Sequence, residues 1–359
     1  MWTSETKNLK EVFVMKKLLL GFFMLMLVIG IIVTGFVKPA PAQAEPIELK
    51  VAYHVPPVHV QHRGVIEPWS KELAKRTEGR VTAKLYPAQL LGRVNEMYDM
   101  VLKGTCDVGW LISTYFPGRH PLEEAFHLPF LVPPGAANPT GKRIRDAVYE
   151  KFLIPYHYKD VKVLWTGRFE PNVLHLAKKP VRSMEDMKGL VVGFPGGRIQ
   201  PKLITAVGAS PEQVTVVDMY TALERGMIDG QIIPLETQLG FKLIEVTKYV
   251  TLLNLGSGTN FMGMRIETWN KLSPADQKII DELSIWAADL QGKAWEGSTG
   301  YTISTCKKSG IEFIELSPEE RARWIKAAKP VEEEWVRGVE AKGLPARELY
   351  DMVEQMLAK

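Results

Sequence analysis

The chain has 359 residues, 46% of them hydrophobic, with 45 Lys+Arg against 41 Asp+Glu and two cysteines. That length holds one large or two ordinary domains around a sizeable core, and the near-average composition excludes a disordered, collagen-like or multi-span membrane protein. Two cysteines without a CxxC exclude a disulfide scaffold, a zinc ribbon and a dithiol redox site. The formal net charge of +4 shrinks on inspection, because residues 1–44 hold five Lys/Arg and two acids. The remainder carries 40 basic and 39 acidic residues, so there is no footprint for nucleic acid.

Lys16-Lys17 precedes an uncharged run from Leu18 to Val37, followed by Pro39-Ala40-Pro41-Ala42-Gln43-Ala44. Positive charge, an apolar stretch and a small-x-small site have the order of a secretory signal, with cleavage expected after Ala44. The run is also long enough to span a bilayer, so an uncleaved anchor is the competing reading. Met15 makes a conventional start, which reduces the signal to 15–44 and residues 1–14 to a start-site artefact. No cysteine follows the run, which argues against a lipoprotein. Either way, residues 45–359 are expected outside the cytoplasmic membrane. There Cys106 and Cys306 read as two buried free thiols, with a disulfide between lobes as the alternative.

Leu49–Tyr53 reads as a short strand ending in His54 and the turn-forming Pro56-Pro57. Ile66, Trp69 and Leu73 recur at helical spacing, and Val81–Tyr86 returns as a strand. Val94, Met97, Tyr98, Val101 and Leu102 form an amphipathic helix closed by Gly104, before a strand over Cys106–Ile112. A Pro-, Phe- and His-rich loop follows at Pro117–Pro134, and the pattern resumes near Val161–Thr166. Strands are then expected at Leu190–Phe194, Gln213–Val217 and Met227–Pro234, with helices at Pro201–Val207 and Asp218–Arg225. Ser273-Pro274-Ala275-Asp276 and Ser317-Pro318-Glu319-Glu320 are strong helix starts. Long helical patterns follow them over Ile279–Lys293 and Arg321–Lys342, and a terminal helix begins near Arg347. The alternation defines an α/β protein of two lobes with covered sheets.

Chemistry-bearing motifs are missing: there is no GxSxG, HExxH, P-loop or GxGxxG. Gly196-Gly197-Arg198 lacks the third spaced glycine of a dinucleotide fingerprint. His59 and His62 would need a further ligand to hold a metal. Glu123-Glu124 beside His127 reads as a solvated loop edge, with acid/base groups as the alternative.

Several stretches in order resemble the extracytoplasmic solute receptors of TRAP transporters, the DctP type. They are Thr77-Glu78-Gly79-Arg80-Val81 leading to Tyr86-Pro87-Ala88-Gln89-Leu90-Leu91-Gly92, then Gly104-Thr105-Cys106-Asp107 with Leu128-Pro129-Phe130. Lys179-Pro180-Val181, Asp186-Met187-Lys188-Gly189-Leu190 and Leu223-Glu224-Arg225-Gly226-Met227-Ile228-Asp229-Gly230-Gln231 are the most specific, and Trp269-Asn270-Lys271-Leu272-Ser273 closes the set. The resemblance covers essentially 47–359. It implies a two-lobe periplasmic-binding-protein-like fold with hinge strands and one long helix across both lobes. It further implies a small organic solute caught between lobes and handed to a membrane permease. Lobe I is expected at 47–167 plus 256–292, and lobe II at 168–255 plus 293–359.

In such receptors the strand after the Gly-Leu pair usually carries an arginine that clamps a carboxylate. Here Gly189-Leu190-Val191-Val192-Gly193-Phe194-Pro195 puts Gly193 at that position. Ile233 and Ile112 also stand where some members place polar contacts. Two explanations follow. The anchor has moved, with Arg168 or Arg198 supplying the fork for an organic acid. Otherwise the solute is neutral or cationic, walled by Trp110, Tyr115, Trp165, Phe169, Phe194 and Phe261, with Glu236 or Glu170 available to a cation. His54 and Asn172 match common contact positions, and Val216 completes the candidate lining. The expected protein is a monomeric periplasmic receptor, without enzymatic activity, cofactor, metal or nucleic-acid partner, for an organic acid with an apolar or aromatic body. A secreted α/β enzyme and a membrane-tethered interaction protein without uptake are the rivals from other classes.

Overall fold

The computed structural model describes residues 46–134 and 139–358, with 14–16 and 21 besides. The export signal, its cleavage after Ala44 and the start-site reading lie almost wholly outside the described residues. No helix among the described residues is long and apolar enough to cross a membrane.

Two sheets organise residues 46–358. The first contains β1 (Ile47–Ala52), β2 (Val81–Tyr86), β3 (Val108–Ile112), β4 (Val161–Arg168) and β10 (Thr259–Arg265), in the order β2-β1-β3-β10-β4. The second contains β5 (Asn172–Leu176), β6 (Val191–Phe194), β7 (Ser210–Gln213), β8 (Gly230–Pro234), β9 (Tyr249–Leu252) and β11 (Glu312–Glu315), in the order β11-β9-β5-β8-β6-β7. Strands β1, β2 and β3 are parallel, and β10 runs antiparallel to β3 and β4. Every residue of β3 is buried, as expected of a central strand covered on both faces.

Strand β7 lies earlier than the Gln213–Val217 expected from the β-branched run. Its parallel register with β6 ends at Phe194↔Gln213, because Pro195 has no N–H with which to extend the ladder. Thr215, Val216 and Val217 therefore leave the sheet. Gly104 closes its helix, α2 (Met97–Lys103), with φ 76°, the left-handed conformation that glycine adopts without strain.

Helix α6 (Pro274–Lys308) starts where Ser273 accepts a hydrogen bond from the Asp276 N–H. Helix α7 (Pro318–Glu340) starts likewise at Ser317, which accepts from Glu320. Both helices cross between lobes, where one was expected. Ile280, Leu283, Ala287 and Trp295 of α6 pack in the core of the first sheet, and Cys306 packs beside Val173 and Val250 of the second. In α7, Trp324 and Ala328 belong to the second lobe, whereas Val331, Trp335, Val336 and Val339 belong to the first. Pro330 sits at that change of partner, where its missing N–H breaks the helical ladder. Helix α8 (Ala346–Leu357) buries Ala346, Leu349, Tyr350 and Val353 in the first core. Part of the 293–359 stretch expected in the second lobe thus packs in the first core, including the apolar face of the terminal helix.

Cys106 and Cys306 are free and buried. Trp335 ties α7 to the first lobe through its ring and through an indole N–H donated to the Pro121 carbonyl at 3.2 Å. Trp335→Ala is expected to cost about 3–5 kcal/mol, read as a lowered chemical-denaturation midpoint.

Candidate functional site

Parallel strands of both sheets point their carboxyl ends at one cleft, the usual location of a ligand in open α/β sheets. Residues just beyond those ends line a cavity of about 540 Å³, counting all space not filled by atoms and the open solvent at its mouth. From the first lobe come His54 after β1, and Ile112, Thr114 and Tyr115 at the end of β3. From the second come Pro195 after β6, Val216 after β7, and Ile233, Pro234 and Thr237 at the end of β8. Phe169, Asn172 and Gly258 from the hinge, Gln200 and Phe241 from the second lobe, Val55, His59 and Trp110 from the first, and Trp295 of α6 complete the lining.

The walls are rings in mutual contact. His54 stacks on Trp110 at 5.1 Å between centroids and 7° between planes, and Tyr115 meets it edge-on at 5.8 Å. Phe169 contacts Trp110 at 6.0 Å and Trp295 at 4.8 Å. Buried indoles need acceptors, and amides behind the cavity supply them. Trp110 donates to Asn260 Oδ1 at 2.9 Å, Trp295 to Gln61 Oε1 at 2.8 Å and Trp165 to Gln291 Oε1 at 3.1 Å. The amides also bond to one another: Gln61 donates to Gln291 at 3.2 Å, and Gln291 to Asn260 at 2.9 Å. Gly167 makes room for this network, because a Cβ there would lie 1.6 Å from Gln291 Nε2.

Burial lowers the pKa of both His54 and His59 to about 3, so the two imidazoles are neutral at pH 7. His59 Nδ1 accepts from the Gln61 N–H at 3.1 Å, which leaves its proton on Nε2. Of the described residues that line the cavity, His54 Nδ1 and Gln200 Oε1 are buried without a hydrogen-bond partner. His62 does not join His59: its Nδ1 bonds the Tyr53 hydroxyl at 2.6 Å.

Of the residues singled out in the sequence, the cavity brings together His54, Trp110, Tyr115, Asn172, Val216 and Ile233, with Phe169 and Ile112 beside them. Arg168, Gly193, Phe194, Arg198, Glu236 and Phe261 do not line it, for separate reasons. A side chain at 193 would meet Ile228 Cδ1 at 2.7 Å, away from the cavity. Phe194 is in the core of the second lobe, and Phe261 is packed at 4.7 Å from Tyr158 in the first. Arg168 is buried beside the Phe169 carbonyl, and burial lowers its pKa to about 10 against the opposing pull of Glu170. Arg198 is held by Glu124 through two bonds of 2.8 Å, an ion pair that joins the two lobes. Val216 N–H adds a second interlobe bond, to the Tyr115 hydroxyl at 3.4 Å.

The acidic loop edge is also corrected, because Glu123, Glu124 and His127 are buried. Burial alone would raise the Glu123 pKa, but bonds to His120 at 3.1 Å and from Thr259 at 2.7 Å more than offset that and hold it below the usual range. His127 Nε2 bonds Ser113 at 2.9 Å, directly beside the cavity wall. Gln200, Thr237, Phe241 and Trp295 escape a reading of the sequence. No local pattern marks them, and they meet only through the packing of the second lobe and α6.

The arrangement is that of a two-lobed α/β solute-binding protein. The model of bacterial extracellular solute-binding protein family 7 (DctP) matches residues 51–338, and the chain belongs to that family. The C4-dicarboxylate-binding periplasmic protein DctP of Rhodobacter capsulatus is 25% identical over 324 residues, covering 89% of this chain and 95% of the relative. A marine-metagenome TRAP solute binding protein specific for aromatic acid ligands, solved with metahydroxyphenylacetate, aligns with a TM-score of 0.81 and 26% identity. That alignment covers 87% of this chain and 98% of the other. The Bordetella bronchiseptica protein with bound (R)- and (S)-mandelate aligns at 0.79 and 26%, covering 87% and 99%.

Glu236, at the hinge, accepts a hydrogen bond from Thr299 through Oε1, and its buried Oε2 has no hydrogen-bond partner. Burial raises its pKa to about 7, with Glu170 adding to the rise. The native state therefore binds an extra proton between the unfolded value of about 4.3 and about 7, and stability falls as pH rises across that window. Glu236→Gln is expected to stabilise the protein by about 3 kcal/mol at pH 8 and to leave it unchanged at pH 4, measured by urea denaturation at both.

Proposed function

We propose that this receptor captures a small organic solute with an aromatic body between its lobes and presents it to the membrane permease of a TRAP-type importer. The observation that carries the reading is the ring-walled cavity, in which Trp110, Phe169 and Trp295 belong to one contiguous set of contacts. Its residues come from both lobes, so a bound solute bridges them. The aromatic acids held by the marine-metagenome and Bordetella relatives support the same body for this chain's solute. The protein acts in the periplasm as a monomer and performs no chemistry. The order of charge, apolar run and small-residue site before Ala44 supports export.

A thermal-shift screen of aromatic, C4-dicarboxylate and sugar-acid solutes tests this. A solute at 100 times its dissociation constant adds about 2.7 kcal/mol and moves the melting temperature by several degrees. Aromatic solutes are expected to produce that shift. A shift from C4-dicarboxylates or sugar acids alone would overturn the reading.

A further inference from the structure

We infer that the solute this cavity selects is uncharged: a small aromatic molecule bearing a hydroxyl or N–H donor, rather than an aromatic carboxylate. The inference rests on the reading of the cavity as the solute site and adds the charge class. Among the described residues, no Lys, Arg, Asp or Glu lines it. The arginines offered as relocated anchors are engaged elsewhere, Arg198 with Glu124 and Arg168 outside the lining. A carboxylate enclosed here would surrender its water without gaining a cation, and the negative faces of the rings would not compensate. An ammonium would gain attraction from those faces but no counter-charge, since Glu170 and Glu236 are also outside the lining.

The polar groups that do face the problem are neutral. Gln200 Oε1 is buried without a partner and accepts only from a donor, which a carboxylate lacks. His54 Nδ1 is likewise unpartnered, and Thr114, Thr237 and Asn172 complete a lining suited to hydroxyl or amide groups. A site built to bond a hydroxyl or N–H discriminates strongly against analogues that leave its buried polar atoms unpaired.

Matched solutes that differ only in charge test the inference: 3-hydroxybenzyl alcohol, 3-hydroxybenzoate and 3-hydroxybenzylamine. Each is titrated calorimetrically at pH 7.5 into protein unfolded and refolded to strip any retained solute. The alcohol is expected to bind at least about 100-fold more tightly than either ion. A benzoate or benzylamine of equal or greater affinity would overturn the neutral assignment while leaving the aromatic receptor standing. Silence from all three, with binding of a non-aromatic solute, would overturn the aromatic reading itself. In Asn172→Arg, or Thr237→Lys should the first fail to fold, the ranking is expected to invert in favour of the benzoate. An unchanged ranking in a folded variant would contradict the claim that the missing cation sets the preference.

Discussion

The cavity depends on three indole N–H groups that can only donate. Trp110, Trp165 and Trp295 are buried, and each fixes the carbonyl oxygen of one amide toward itself: Asn260, Gln291 and Gln61. With the oxygens fixed, the amide nitrogens of Gln61 and Gln291 have one direction left, and they join the three amides into a chain. An orphaned member would cost about 1–3 kcal/mol, so the network locks α6 against β4 and β10. With Nε1 of Trp110 and Trp295 satisfied by these amides, the two indoles present apolar ring surface to the cleft. The apolar character of the site thus follows from a polar network placed outside it.

Closure has its own chemistry. Arg198 at the start of its helix reaches Glu124 on the opposite lobe through Nε and Nη2, and Glu124 is the buried member of that pair. Gly196 approaches the Thr114 carbonyl so closely that a Cβ would lie 2.4 Å from it. Behind these contacts, His127, Ser113, Thr259 and Glu123 form a buried chain of hydrogen bonds from the cavity rim into the first lobe. The arginine that a sequence reader would assign to a ligand carboxylate instead finds a carboxylate of the protein. The guanidinium geometry is used, but for the lobes rather than for the solute.

The parts legible in sequence are those set by local rules. Ser273 and Ser317 announce their helices because capping needs only residues within one turn. Gly104 ends its helix for an equally local reason. The loop of acids and histidines looked solvated because its partners, Tyr149 and Thr259, arrive from distant strands and helices. Arg168 was misplaced by the pleat: Gly167 faces Gln291 of α6, so the next residue faces the opposite side of the sheet. Trp295 gave no sign of its role, since its helix is long and its orientation is decided by what it crosses. His54 follows β1, Trp110 lies in the middle of β3 and Asn172 opens β5, so strand patterns readable in the sequence bring all three near the cleft.

The central claim is that the solute sits in the ring-walled cleft, where no charged side chain is found among the described lining residues. A crystal structure of the protein with its solute retained tests this most directly. The account predicts density for a flat ring against the wall formed by Trp110, Phe169 and Trp295, with a hydroxyl or N–H within hydrogen-bond distance of Gln200 or His54. A solute whose carboxylate is clasped by Arg168 or Arg198, with the Arg198–Glu124 pair broken, would contradict it.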